Sequence, residues 1–232
     1  MADEDKLVKA GFEVVFKPVA DLIERLAGPA AEEFGLTIQD HVRVFRLKRQ
    51  LRLFQRTKEM LEKAGVEPKR VPLKFLGPVV ESASFEEDNE LQDRWAALLA
   101  NAAATPKDIH PAYIEILKQL SSTEVLLLEI LHKKGSPKSG TYDFYKELAA
   151  RLDIEHLSSD VQSPVPTVAE EVDNRLDRLG VVGNLTRLGC ISVEGIHHGP
   201  TYYSLTTFGK NFCRACSPPK ASQRNAKTSS SE

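Results

Sequence analysis

Five arginines, Arg43, Arg46, Arg49, Arg52 and Arg56, recur every three or four residues, with Lys48 and Lys58 among them and no acidic residue between Asp40 and Glu59. On a helix this spacing sets the guanidinium groups along one drifting face, while Val44, Leu47, Leu51 and Phe54 fall on another. A guanidinium fork matches the oxygens of a phosphate group, so the face is a candidate polyanion-binding surface for RNA, DNA or an anionic membrane. The same row suits a solvated helix face, or one paired with Glu86, Glu87, Asp88, Glu90 and Asp93 downstream. The sequence leaves these alternatives open.

Other residue types invite chemistry with weaker spacing. The carboxylates of Glu86, Glu87, Asp88, Glu90 and Asp93 are the raw material of a divalent-cation site and, through it, of a metal-dependent nuclease. Acids are also favoured at the start of a helix by its dipole, which makes the same stretch a capping loop. Cys213 and Cys216, with His197, His198 and Cys190, are weak zinc ligands, because no second spaced pair accompanies the Cys-x-x-Cys. As buried thiols they serve equally as small apolar groups. There is no Gly-x-x-x-x-Gly-Lys loop, no Gly-x-Ser-x-Gly elbow, no His-Glu-x-x-His and no dinucleotide fingerprint. No catalytic residue, resident metal or cofactor is therefore expected.

The elements that must carry these residues follow from hydrophobic spacing. Lys6 to Phe34 predicts two or three short helices broken at Pro18 and Gly28-Pro29, and Asp40 caps a long helix that Ala64-Gly65 stops. Leu73 to Ala83 and Glu90 to Ala104 read as two more helices, and His110 to Leu120 as another. Ser121 and Glu124 have the spacing of a capping box opening a helix to Lys133. Tyr142 to Leu152 and the stripe Val168, Val172, Leu176, Leu179 predict two further helices, the second ending at Gly180. From Val181 to Val193 and Thr201 to Leu205 the pattern turns β-branched or aromatic around Gly195 to Pro200, which reads as a β-hairpin. A last helix from Thr207 to Ala215 precedes a tail without large apolar residues, expected to be disordered.

The expected fold class is thus mainly α, with a helical domain over 1–108, a winged-helix-like domain with a C-terminal β-hairpin over 109–216 and a disordered tail over 217–232. In such a domain the helix ending at Gly180 would enter a DNA groove, yet it carries Glu170, Glu171, Asp173 and Asp177 against Asn174, Arg175 and Arg178. That balance opposes phosphate, and the domain reads better as a protein-interaction or structural module than as a DNA regulator.

With 232 residues and 41% hydrophobic content the chain can bury a real core, which excludes global disorder. A formal net charge of -2 excludes wholesale coating of a polyanion, so any such partner is met locally. Three cysteines are too few for a disulfide framework, and the acidic start Met1 to Lys6 has no secretory pattern, so a cytoplasmic location is expected. Trp95 reads as a core anchor, and the alanines Ala96, Ala97, Ala100, Ala103 and Ala104 permit close helix approach within the chain or in a homo-oligomer.

Four phrases go beyond pattern: Lys17 to Gly35 (KPVADLIERLAGPAAEEFG), Val42 to Gln50 (VRVFRLKRQ), Ala83 to Asn101 (ASFEEDNELQDRWAALLAN) and His110 to Leu117 (HPAYIEIL). Together they resemble the bacterial Abi-alpha, or abortive infection alpha, family over Lys17 to Cys216. The resemblance implies a part in phage resistance, in which an infected cell stops growing or dies before progeny are released, and it implies no catalytic residues. The expected function is binding of a protein partner or a polyanion in that response. The alternatives are a nucleic-acid-binding winged-helix regulator and a metal-dependent nuclease.

Overall fold

Helix α1 (His41–Ala64) runs unbroken for 24 residues because its apolar positions keep helical spacing throughout. Leu47, Leu51, Leu53, Phe54 and Leu61 are buried along it, and Gly65 ends it in the left-handed conformation, φ 61°, that a side chain would resist. The computed structural model describes residues 22, 25, 26, 41–134, 141–154, 165–194 and 201–220. Apart from Leu22, Arg25 and Leu26, the short helices expected before Phe34 lie outside the described residues. So do Asp40, the side chain of Arg43, the hairpin turn with His197 and His198, and the tail beyond Lys220.

By contact density the chain divides into two units, one of Met1–Lys118 with the segment from Ala215 onward, the other of Gln119–Arg214. In the first, α1 packs on α2 (Leu73–Ala83) and α3 (Asn89–Ala104), and the short α4 (Ala112–Leu117) follows. Helix α2 contains Pro78, yet buries Phe75, Leu76, Val79, Val80 and Ala83. Burial of that stripe, worth about 1.5–3 kcal/mol per large side chain, outweighs the hydrogen bond that proline deletes. Helix α3 buries Trp95 among Leu91, Leu98 and Leu99, and its alanines Ala96, Ala97, Ala100 and Ala103 are buried as well. Their small size lets α1 come close enough for the buried Thr57 hydroxyl, which bonds Leu53 C=O at 2.8 Å, to reach Ala96 C=O at 3.3 Å.

The second unit begins with α5 (Ser122–Lys134), whose first turn shows one arm of the capping pattern, the Ser121 N–H donating to Glu124 Oε2 at 2.6 Å, while the Ser121 hydroxyl donates to the same carboxylate oxygen at 2.8 Å. Helices α6 (Tyr142–Arg151), α7 (Val165–Arg178) and α8 (Val181–Arg187) follow, then strands β1 (Ile191–Glu194) and β2 (Tyr202–Leu205) and helix α9 (Thr207–Ala215). The strands form an antiparallel hairpin in which Ile191 faces Leu205 and Glu194 faces Tyr202. The fold is mainly helical with a C-terminal two-stranded hairpin, as expected.

One stretch departs from the sequence reading. Val181 to Arg187, taken as extended from its β-branched start, is helical, so α8 stands between α7 and the hairpin. Gly180, left-handed at φ 69°, closes α7, and its carbonyl accepts from Asn184 N–H at 2.9 Å as α8 begins. Val181 and Leu185, one turn apart, are then buried together, and that burial overrides the modest helix propensity of valine. Among the described residues no helix is long and apolar enough to cross a membrane.

Candidate functional site

The arginine row of α1 meets the end of α2 and the loop that leads into α3. Arg46 donates through Nε to Ser84 Oγ at 3.1 Å, and its guanidinium carbon lies 4.2 Å from the centre of the Phe85 ring. Arg49 donates to the Glu86 carbonyl. Arg56 pairs through Nε with Asp93 Oδ1 at 3.2 Å and through Nη1 with Glu59 Oε2 at 3.2 Å. Arg46 and Arg49 thus hold Ser84, Phe85 and Glu86, the residues that follow directly on the end of α2. Lys48 is exposed, and Arg52 is partly exposed with no partner among the described residues.

The loop is fixed from its other side by Gln92 of α3, a buried amide whose Nε2 donates to Ala83 C=O at 2.7 Å and Glu86 C=O at 3.0 Å. Asp88 caps α3, accepting from Glu90 N–H at 2.7 Å and Leu91 N–H at 3.0 Å, and the Glu86 carboxylate accepts from Asp88 N–H at 3.0 Å. The carboxylates of Glu86, Asp88 and Asp93 therefore hold backbone or arginine. Among the described residues no group of three His, Cys, Asp or Glu is placed to hold a metal ion. Cys190, Cys213 and Cys216 are all buried, and Cys213 Sγ lies 3.9 Å from Leu128 C=O. Burial, with the nearby Glu124 carboxylate, pushes the Cys190 thiol up to about 11, so it stays protonated at neutral pH.

Sequence reasoning gave Asp173 to the outward acidic face of its helix, and the structure turns it inward. Tyr203 OH donates to Asp173 Oδ1 at 2.5 Å, Tyr145 OH lies 3.3 Å from Oδ2, and the same Tyr145 hydroxyl donates to Thr201 C=O at 2.7 Å. Burial raises the Asp173 carboxyl above its ordinary value, against the lowering effect of the tyrosine hydrogen bonds. Both tyrosine hydroxyls are raised as well, by burial first and then by the Asp173 charge. The node ties α6, α7 and β2 together. Asn174, Arg175 and Arg178 line a cleft of about 510 Å³ with Glu171 and the turn Leu152–Ile154.

Gln92 and Asn101 of α3 were both missed as organising residues. The Asn101 amide donates to Ala97 C=O at 3.0 Å, Ala215 C=O at 2.9 Å and Ser217 C=O at 2.7 Å, fastening the segment after α9 to the first unit. Their signal was a lone amide inside an otherwise apolar stripe. The description of the abortive infection alpha family matches residues 48–216, most of the chain. No curated protein and no solved structure matches it.

Proposed function

Since the chain belongs to the abortive infection alpha family, we propose that it acts in phage-triggered growth arrest of a bacterial host by binding a partner protein rather than by catalysis. The match over residues 48–216 carries the biological half of this reading. The chemical half is supported by the way the charged groups are spent. Arg46, Arg49 and Arg56, with Glu86, Asp88 and Asp93, hold one another's backbone and side chains. Groups so engaged build a surface and leave no set of carboxylates converging on a reacting atom.

The test is a phage challenge of bacteria expressing the chain, with a catalysis control. Plaque numbers are expected to fall at least about tenfold with an intact host population at low phage input and a collapsed one at high input, and the purified protein is expected to leave RNA and DNA uncut with Mg²⁺ or Mn²⁺. Equal titres across a broad phage panel remove the defence role, and metal-dependent cleavage removes the binding role.

A second reading is supported by Lys48 and Arg52, which project from α1 with no partner among the described residues. They provide a small cationic surface for RNA, DNA or an anionic membrane. Binding that weakens with salt and is lost in Arg52→Glu but kept in Arg175→Glu would favour it.

A further inference from the structure

Where α1 gives way to α2, charge is unevenly spent. The three carboxylates over residues 59–75 each have a basic partner: Glu59 pairs with Arg56 at 3.2 Å, Glu62 with Lys58 at 3.8 Å and Glu67 with Arg25 at 3.7 Å. Lys69, Arg70 and Lys74 are exposed and have no ion-pair partner among the described residues, and the first turn of α2 holds no acid. The exposed Lys107 and Asp108, beyond the end of α3, cancel each other. The segment is anchored from behind, since Lys69 N–H donates to Ala103 C=O at 2.8 Å and Val71 N–H to Leu26 C=O at 3.1 Å. Val71 is buried, so Arg70 and Pro72 on either side of it are turned out. Leu73 then opens α2 with 44% of its surface exposed, although Phe75 and Leu76 behind it are buried. A single exposed leucine carries no meaning by itself. This one stands within four residues of all three cations.

The residue types select an occupant. Nucleic-acid phosphates are gripped best by guanidinium forks, and protein interfaces are depleted in lysine, so two lysines and one arginine around an aliphatic side chain suit neither well. An anionic lipid surface asks for diffuse positive charge and an apolar group that sinks below the headgroups, with lysine stems along the apolar boundary and their ammonium groups at phosphate level. We propose that segment 69–74 docks the chain on an anionic lipid bilayer, Leu73 entering the interface while Lys69, Arg70 and Lys74 meet the headgroups. One side chain and three charges make the attachment peripheral and reversible. It goes beyond the protein-binding reading, and it uses a surface other than Lys48 and Arg52 on α1.

The test is co-sedimentation of the full chain with phosphatidylcholine vesicles that contain phosphatidylserine, against vesicles of phosphatidylcholine alone. The chain is expected to sediment with the anionic vesicles at low salt, less at raised salt, and not with the neutral ones. Lys74→Gln and Arg70→Gln should each weaken partitioning about fivefold, the loss of one cation at the surface. Leu73→Ser, which leaves the charge unchanged, should weaken it about fivefold through lost apolar burial. Lys48→Gln removes the same charge from α1 and is expected to leave partitioning in place. No sedimentation with anionic vesicles, an unmoved Leu73→Ser, or a Lys48→Gln loss equal to that of Lys74→Gln overturns the proposal. Binding of single-stranded poly-U RNA that falls in Arg70→Gln, in a chain that ignores the vesicles, overturns it in favour of nucleic acid.

Discussion

Asp173 shows how one carboxyl group couples the second unit to pH. Its folded-state pKa is raised above the ordinary 3.8 by burial, so the folded protein binds this proton more tightly than the unfolded chain does. The stability it contributes is full below about pH 3.8 and is lost as pH rises through the folded value. Asp173→Asn keeps an acceptor for the Tyr203 hydroxyl and removes the ionisation. In urea unfolding from pH 3 to 7, the difference between variant and wild type is expected to shift steadily in the variant's favour as pH rises. A difference that stays constant across that range would show that the Asp173 carboxyl does not titrate differently on folding. Nothing in the sequence marks this residue, because Glu170, Glu171 and Asp177 around it have the same type. Only the positions of Tyr145 and Tyr203, some 30 residues away on either side, single it out.

At the scale of elements, the junction of α1, α2 and α3 is a set of donors closing over Ala83 C=O, Ser84 Oγ and Glu86 C=O at and just beyond the end of α2. Gln92 is the innermost of them, and Gln92→Leu fills the space while leaving Glu86 C=O to Arg49 alone and Ala83 C=O to the 3.3 Å bond from Glu86 N–H. The loss is expected to be about 1–3 kcal/mol of unfolding free energy, with faster amide hydrogen exchange across Ser84–Asp88, and unchanged exchange there would refute the fastening role. The helices of this junction were legible from the sequence because each carries a long apolar stripe ended by Gly65, by the acidic loop or by Thr105. The pairing of Arg56 with Asp93 was one of three alternatives that the sequence left open, whereas the contacts of Arg46 with Ser84 and Phe85 and of Arg49 with the Glu86 carbonyl were not foreseen. Periodicity puts arginines on a face, but which turn of α1 meets residues 35 to 40 positions away is settled by packing. Helix α8 was misread for a related reason. Local valine content argued for strand, whereas the deciding term was the joint burial of Val181 and Leu185 with a left-handed Gly180 ahead of them.

The whole chain carries a net charge of only -2, and the family match over residues 48–216 spans both units. Each unit has a core of its own, Trp95 in the first and Tyr145, Phe144 and Tyr203 in the second. The first is closed in part by the far end of the sequence, through the Asn101 amide on Ala215 and Ser217. Two substitutions address the units separately. A Cβ at Gly209 would lie 1.9 Å from the Cys190 carbonyl oxygen, so Gly209→Ala forces backbone apart in the second unit at a cost of about 1–3 kcal/mol. Asn101→Leu removes the clasp in the first at a cost of about 1–2 kcal/mol. If the cores unfold separately, Gly209→Ala lowers the midpoint of the helical circular dichroism transition while the Trp95 emission midpoint moves less, and Asn101→Leu moves the Trp95 midpoint more. Both probes shifting in step for both variants would mean that the two cores melt as one cooperative unit, and a partner bound on the first would then stabilise the second to the same degree.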